Sequence, residues 1–295
     1  MKPITLARRG LNKQVIGWLF VLPMLLFFIT FVLYPIFYAI KSSLYRFDYT
    51  RYYWVGFGNY AALLKNELFR MSIKNTLIFV VFMVPSVTFI SLLLASLICS
   101  HGKKLQSFFK ATFYIPTVSS LVSIVIIWEY IYNFQFGMGN YVLKSIGFEP
   151  INFLGVNYVY FSLMLVLLTM SLGAPIVVFT AALNGIPKDL YEASAIDGAK
   201  AVRKFFNITF PMLKPTLLYV VVTSTIGSFQ IFAIILIMTG GGPAYKTTTI
   251  MMLIYREAFI NMNFGIANAM GIVLCILICF IAFIQFKLLK SDVEY

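Results

Sequence analysis

The sequence predicts an all-α integral membrane protein with six transmembrane helices. Of its 295 residues, 61% are hydrophobic and only 11% are charged, and the mean hydropathy is +0.90. A soluble domain is roughly 45–50% apolar and about 25% charged, so this chain has too little charge to cover a water-exposed surface. Six stretches contain no charged residue. Each is long enough to cross a membrane core of ~30 Å, which takes about 20 helical residues.

Each uncharged stretch predicts one span. The predicted spans cover residues 15–40, 75–99, 111–132, 159–184, 216–238 and 265–287. They form a membrane domain over 15–287, with short tails at 1–14 and 288–295. The first span follows basic residues, as a secretory signal would. Because its apolar run is too long for a signal and no small-residue cleavage site follows it, we expect it to be retained.

The positions of Lys and Arg orient the spans, because cytoplasmic loops of membrane proteins carry an excess of both residues. With the N-terminus inside, 14 of the 23 basic residues lie on cytoplasmic segments and 9 lie outside. The first outer loop alone holds six of those nine, which weakens the bias without reversing it. Both termini, and the loop between spans four and five, are therefore predicted to be cytoplasmic.

The net charge of +13 would suggest a nucleic-acid partner if the protein were soluble. Here the basic residues flank apolar segments, where they face anionic lipid headgroups. No basic stripe lies on a polar domain, as nucleic-acid binding would require. We therefore expect membrane lipid as a partner and no nucleic acid.

The loop between spans four and five, residues 185–214, is far longer than a simple turn requires. Pro187 suits the first turn of a helix, where its missing N–H is not needed. Asp189 and Glu192 complement the positive end of the helix dipole. Gly198 suits the left-handed residue that ends many helices. The pattern predicts a short helix that ends in a glycine turn.

A second helix is predicted over residues 199–210, with basic and apolar side chains on opposite faces. Pro211 and Pro215 are expected to break the chain before span five. The apolar side chains expected to hold this helix against the bundle are Val202, Phe205 and Phe206. On periodicity alone, an amphipathic helix resting on the lipid surface is an equally good interpretation.

One spacing within loop 185–214 is specific. Glu192-Ala193-Ser194 is followed by three residues, Gly198, nine residues, Ile208, one residue and Phe210-Pro211. This pattern resembles the loop motif of binding-protein-dependent ABC importer permeases, which reads Glu-Ala-Ala, three residues, Gly, nine residues, Ile, one residue, Leu-Pro. Ser194 and Phe210 depart from the motif, each by a residue of similar character.

Further segments resemble the carbohydrate-uptake branch of the same family. They are residues 22–23, 34–35, 128–133, 139–140, 238–243, 247–249 and 255–259. The resemblance covers about residues 15–287. Within the branch, the chain looks like the first of two paired permease subunits, the maltose, lactose and glycerol-phosphate type.

The resemblance implies a type I ABC importer permease that moves a sugar or oligosaccharide across a bacterial or archaeal cytoplasmic membrane. It implies three kinds of partner: a second, related permease subunit, two ATPase subunits and an extracellular solute-binding protein. It also implies that loop 185–214 couples transport to the ATPase subunits. The residues implied in that coupling are Glu192, Ala193, Ser194, Asp197 and Gly198.

Span five has the richest polar content of the six spans. Thr223, Gly227 and Gln230 share one of its faces, and a Gln in hydrocarbon needs polar partners. We consider two interpretations equally good: these residues line a path for solute, or they pack helices together through small residues and buried hydrogen bonds. Glu129 is a weaker candidate for the path, since a Glu at the end of a span is more often an interfacial residue beside an aromatic belt.

The sequence contains no Gly-x-x-x-x-Gly-Lys-Ser/Thr motif, so the chain lacks the usual loop that cradles ATP phosphates. It also lacks an acid pair within an apolar helix and a metal-ligand pattern, so we expect no catalytic centre and no cofactor on this chain. ATP hydrolysis is expected on partner subunits.

The main alternative is an ion-coupled secondary transporter of a small polar solute, which would need intramembrane carboxylates and internal repeats. A membrane-embedded enzyme would need an acid–base or metal group.

Overall fold

Four helical segments are each long and apolar enough to cross a membrane in the computed structural model, which describes residues 13–47 and 51–289, with side chains from residue 17. They are Gly17–Ser43, Glu67–Cys99, Ala201–Met238 and Phe264–Leu289. Two pairs of helices each complete a further span: Lys103–Val118 with Leu121–Ile131, and Val159–Ser171 with Gly173–Gly185. Six spans result when each pair is counted as one. Most of the predicted tails, 1–14 and 288–295, lies outside the described residues.

The helices of the described chain are α1 (Lys13–Phe28), α2 (Tyr34–Ser43), α3 (Gly58–Lys65), α4 (Glu67–Cys99), α5 (Lys103–Val118), α6 (Leu121–Ile131), α7 (Met138–Ser145), α8 (Val159–Ser171), α9 (Gly173–Gly185), α10 (Lys188–Ile196), α11 (Ala201–Lys204), α12 (Phe210–Phe229), α13 (Ala233–Met238), α14 (Ile250–Tyr255) and α15 (Phe264–Leu289). Short π-helical turns at Ile29–Leu33, Phe205–Thr209 and Arg256–Ile260 join α1 to α2, join α11 to α12 and extend α14. Strands β1 (Tyr45–Phe47) and β2 (Tyr52–Trp54) form an antiparallel hairpin.

The long helix α4 lies at the centre of the bundle and packs against α8, α9, α12 and α14. It begins at Glu67, well before the predicted start at residue 75, because Asn66 caps it. The Asn66 side-chain oxygen accepts a hydrogen bond of 3.0 Å from the Phe69 N–H. Further along α4, Phe79 and Met83 are buried against α8 and α13 in the largest apolar core. The same helix therefore supports both the core and the cavity described below.

Span three, predicted over 111–132, is built from two helices in place of one continuous helix. α5 ends at Val118 and α6 begins at Leu121, at an angle of 96° to it. Ser119 and Ser120 form the corner in extended conformations, with ψ of 153° and 131°. A run of uncharged residues predicts burial in lipid but carries no information on this change of direction.

The predicted break before span five is wrong. The chain is helical from Ala201 through Phe229, because a π-helical turn leads directly into α12. Pro211 is the second residue of α12 and directly follows the π-helical turn. Pro215 lies inside α12, which membrane helices tolerate. The loop between spans four and five is thus continuous with the helix that crosses the membrane next.

The first span packs against the rest of the chain near its end, where α2 contacts α15. The hairpin that follows was not predicted from the sequence. It is fastened by Asn59, whose amide donates hydrogen bonds to the Ser43 carbonyl (2.7 Å) and the Tyr45 carbonyl (2.9 Å). Rings of β1 and β2 pack across it, with Tyr45 and Trp54 edge to face at 5.1 Å.

Candidate functional site

The first helix of loop 185–214 is confirmed as α10, which Pro187 precedes and Asp197 caps. Gly198 adopts a φ of +72°, the left-handed conformation that the sequence predicts. Its N–H bonds the Ala195 carbonyl (3.0 Å), and the Ala199 N–H reaches back to the Ser194 carbonyl (2.9 Å). These two bonds form a Schellman motif, which satisfies carbonyls at the end of a helix. The motif ends α10 and turns the chain toward α11.

The candidate coupling residues lie together on α10 and its turn, and most of their side chains face outward. Glu192, Ala193, Asp197 and Gly198 are exposed. Ser194 is half-buried, and its hydroxyl donates a hydrogen bond of 2.8 Å to the Tyr191 carbonyl within the same helix. Glu192 therefore offers an exposed carboxylate next to small residues, which would let another protein approach α10 closely.

The attachment of α10 differs from the one expected from the sequence. Val202 is 69% exposed and Phe206 is 61% exposed, so neither holds the loop against the bundle. The Tyr191 hydroxyl instead shares a hydrogen bond of 2.8 Å with the hydroxyl of Thr209, which is buried. The Lys204 ammonium also lies 3.5 Å from the Tyr191 carbonyl. Polar contacts from one tyrosine therefore join α10 to the start of span five, where the sequence suggested an apolar face.

A cavity of about 480 Å³ lies between α10 and the bundle, under the loop. Its walls come from the ends of α4 and α9, from α10, and from the residues that lead into α12. The lining residues are Leu92, Ser96, Cys99, Leu183, Asn184, Ile186, Lys188, Tyr191, Ala201, Lys204, Phe205 and Thr209. Phe205 is thus the one member of the expected apolar face that turns inward. The space beneath the loop leaves room for α10 to move against the bundle.

The hydroxyl pair of Tyr191 and Thr209 gives a first prediction. Thr209→Val keeps the shape of the side chain but removes its hydroxyl, at a cost of about 0.5–1.5 kcal/mol for a neutral hydrogen bond. We expect amide hydrogen exchange of residues 188–196 to become roughly 2- to 10-fold faster, as local opening becomes easier. Ser194→Ala is the matched control, because its hydroxyl bonds only within α10. Unchanged exchange in Thr209→Val would mean that other contacts hold the loop.

A second cavity, of about 250 Å³, lies within the membrane region beside α12. Thr223 and Gly227 line it, as the sequence suggests for a polar face of span five. Gln230, which is exposed at the end of α12, and Glu129, which is exposed on α6, are not among its lining residues. The remaining walls come from other helices and from neighbouring turns of span five. They are Met83, Val87, Ser171, Pro175, Ser224, Ser228 and Ile231.

Several of these lining residues were not identified from the sequence. Ser171 and Pro175 flank the bend of 49° between α8 and α9, and a Ser-Leu-Gly-Ala-Pro run at that bend is the only local signal of it. Met83 and Val87 look like ordinary core residues of α4. Within the described part of the chain, no group of three or more His, Cys, Asp or Glu side chains is placed to hold a metal ion.

A bundle of membrane-spanning helices, with a cavity partly lined by hydroxyls beside α12 and a protruding helical loop, is typical of transport permeases. The chain belongs to the family of binding-protein-dependent transport system inner membrane components, whose family model matches residues 54–295. The resemblance inferred from the Glu192 to Pro211 spacing is therefore confirmed.

Relatives match over nearly the whole chain. The lactose transport system permease protein LacF of Rhizobium radiobacter is 33% identical over 290 residues, which cover 96% of this chain and 97% of the relative. The arabinooligosaccharides transport system permease protein AraP of Bacillus subtilis is 32% identical, covering 95% and 90%. The trehalose/maltose transport system permease protein MalF of Thermococcus litoralis is 31% identical, covering 94% of each.

Solved structures confirm the fold. A chain from the crystal structure of a bacterial alginate ABC transporter, in complex with an alginate pentasaccharide-bound periplasmic protein, superposes with a TM-score of 0.79. It is 22% identical, and the match covers 95% of this chain and 97% of that chain.

The protein is thus a multi-pass permease subunit of an ABC importer in the inner membrane, and not an enzyme. It works with a second permease, ATPase subunits and a solute-binding protein. Ion-coupled transport is not favoured.

Proposed function

We propose that this permease carries a sugar or short oligosaccharide, and that the solute passes the cavity beside α12. The observation that carries the proposal is that three relatives matched along 90% or more of their length are named for lactose, arabinooligosaccharides and trehalose/maltose. The cavity chemistry supports it. Its polar lining side chains are the hydroxyls of Ser171, Thr223, Ser224 and Ser228, and none of the lining residues within the described chain is charged. Hydroxyls suit a neutral solute that is itself rich in hydroxyls.

For the loop, we propose that α10 and its glycine turn dock on an ATPase subunit. The support is the exposed carboxylate of Glu192, the small side chains of Ala193 and Ser194, and the turn at Asp197 and Gly198 that fixes the direction of α10. The sequence holds no Gly-x-x-x-x-Gly-Lys-Ser/Thr motif for ATP phosphates, so on this proposal the movement of the ATPase reaches the membrane through protein contacts.

A physical route from that docking site to the cavity runs through span five. Tyr191 on α10 bonds Thr209, and Thr209 leads without a break into α12, which carries Thr223 and Gly227. The 14 residues from Thr209 to Thr223 extend about 21 Å at roughly 1.5 Å per helical residue. A displacement of α10 can therefore be transmitted along one stiff helix to the cavity wall. Gln230 and Glu129 stay candidates for solute contact at other stages of transport.

Filling the cavity tests the solute route. A Cβ built at Gly227 meets no neighbouring residue within 4 Å, and Gly227 lines the cavity, so we expect a larger side chain here to occupy part of that space. We expect Gly227→Leu to reduce uptake of labelled maltose, lactose or arabinooligosaccharide at least 10-fold, a barrier increase of about 1.4 kcal/mol. Recovery of the assembled transporter should be unchanged.

Gly227→Ala is the matched control, and it should retain most of the uptake because a methyl group leaves the cavity open. Parental uptake of every tested sugar in the Gly227→Leu variant would contradict the route. A parental protein that transports none of these sugars, while a purified solute-binding partner binds a different class of solute, would contradict the proposed substrate.

A further inference from the structure

A shallow groove runs along one face of α4, near the start of the helix, and has a volume of about 470 Å³. Its lining residues recur every three or four positions, so they form one continuous stripe. They are Arg70, Ile73, Lys74, Leu77, Ile78, Val81 and Phe82. Two cations thus lie at one end of the α4 groove with Ile73 between them, and four apolar side chains follow. Val81 is 70% exposed and Phe82 is 53% exposed within this chain.

The two cations are close together, and neither has a partner of opposite charge among the described residues. Arg70 and Lys74 are one helical turn apart, so their Cβ atoms are about 5–6 Å from each other and both side chains can reach a single anion. Both are exposed. Neither makes an ion pair or a side-chain hydrogen bond within residues 13–47 and 51–289, although Glu67 lies on the preceding turn of the same helix.

The depth of the groove follows from the length of α4. Residues 75–99 carry no charge and extend about 37 Å at roughly 1.5 Å per residue, slightly more than a hydrocarbon core of ~30 Å. Lys74 therefore lies at the boundary between water and lipid, with Arg70 one turn further out. Ile78 and Phe82 lie about 6 and 12 Å deeper along the helix, at the level of the acyl chains.

We propose that the α4 groove binds an anionic phospholipid, with the phosphate between Arg70 and Lys74 and an acyl chain along the apolar stripe. A guanidinium offers paired N–H donors to phosphate oxygens, and an ammonium adds a second point charge. A protein partner on the same face would have to bury two cations, which is costly unless that partner supplies carboxylates. An anionic phospholipid fits both parts of the groove, because its phosphate binds the two cations and its acyl chain contacts the apolar side chains.

The test uses the assembled transporter, incubated with phosphatidylglycerol or with phosphatidylcholine of the same acyl chains, and counts bound lipid by native mass spectrometry. We expect the parental complex to retain phosphatidylglycerol selectively. Arg70→Gln/Lys74→Gln should weaken that retention about 25-fold, since one cation near a membrane surface contributes roughly a factor of five. Val81→Trp, which fills the apolar part, should also weaken retention while both cations remain.

The matched control is Arg46→Gln/Lys144→Gln, which makes the same change of charge at exposed residues outside the groove and should retain the lipid like the parental complex. Equal loss in this control would overturn the proposal, because it would mean a diffuse charge effect. Equal retention of both lipids would overturn it as well. So would crosslinking of a Val81→Cys variant to the second permease subunit, because protein and not lipid would then cover the groove.

Discussion

Gly198→Val is expected to yield a transporter that assembles but hydrolyses ATP with little transport. The left-handed conformation of Gly198, with φ of +72°, costs an ordinary L-residue about 1–2 kcal/mol and is worse for a β-branched side chain. No atom lies within 4 Å of the position that its Cβ would take, so the penalty comes from the backbone alone. The chain relieves this strain by opening the Schellman motif, which changes the direction of α10 relative to α11.

Three substitutions at this one position separate backbone strain from charge. Gly198→Asn is the matched control, because Asn tolerates the left-handed conformation, and it should keep nearly parental coupling. Gly198→Asp has a similar shape but adds a negative charge beside Asp197, so we expect an intermediate defect. The measurement is the ratio of solute uptake to ATP hydrolysis in membranes, together with the amount of ATPase subunit that co-purifies.

In Gly198→Val that ratio should fall at least 10-fold. Parental coupling with normal ATPase recovery in this variant would mean that loop 185–214 only rests on lipid, the alternative that its periodicity allows. Glu192→Ala should give a milder defect of the same kind, because it removes a contact without bending the backbone.

The sequence predicted those parts of the protein that depend on short-range chemistry. Pro187 and Gly198 mark the two ends of α10 because each restricts or permits particular backbone angles within one residue. The membrane spans are equally local, since crossing hydrocarbon demands an uncharged run of fixed length. Only the motif from Glu192 to Pro211 predicted more than local structure, namely the protein family. A fixed spacing of several residues is improbable without a common origin.

The features that were missed depend on contacts between distant segments. The corner at Ser119 and Ser120 lies within an uncharged stretch, so neither composition nor hydropathy indicates that the helix changes direction there. The hairpin after span one depends on Asn59, which bonds two carbonyls that precede it by about 15 residues. The continuity of span five past Pro211 depends on where a π-helical turn falls. Each of these requires the three-dimensional fold.

The cavity beside α12 is intermediate between these cases. Thr223 and Gly227 could be predicted because they share one face of a single helix. Ser171 and Pro175 could not, since only the bend between α8 and α9 brings them to the same space. The attachment of α10 through Tyr191 and Thr209 was missed for the same reason: helical periodicity indicates which side chains share a face, but not which of them finds a hydrogen-bond partner on another helix.

That bend makes Gly173 a residue where a small change should strongly disturb the bundle. Gly173 is the first residue of α9, and it lies directly against α5. A Cβ at this position would be 2.7 Å from the Phe113 carbonyl oxygen and 2.9 Å from the Tyr114 Cα, and it would also collide with the Thr117 hydroxyl. Two of these neighbours are backbone atoms, which cannot rotate away as a flexible side chain would.

Gly173→Ala is therefore expected to force α5 and α9 apart. Overpacking of this kind typically lowers the free energy of unfolding by about 1–3 kcal/mol and occasionally by more. Because the clash is with fixed backbone, we expect a loss near the upper end of that range. We expect a lower midpoint of thermal unfolding and poor recovery of the assembled transporter. The hydrogen bond from Thr117 to the Met170 carbonyl (3.0 Å) should be lost as the helices separate.

Gly185→Ala, at the other end of α9, is the matched control, because no atom lies within 4 Å of its Cβ position. Ala favours a helix over Gly by up to about 1 kcal/mol, so this variant should have an equal or slightly higher unfolding midpoint. The same chemical change on one helix is thus expected to have opposite signs at its two ends. Equal midpoints for Gly173→Ala and the parental protein would mean that α5 and α9 are not in the close contact that fixes the bend of span four.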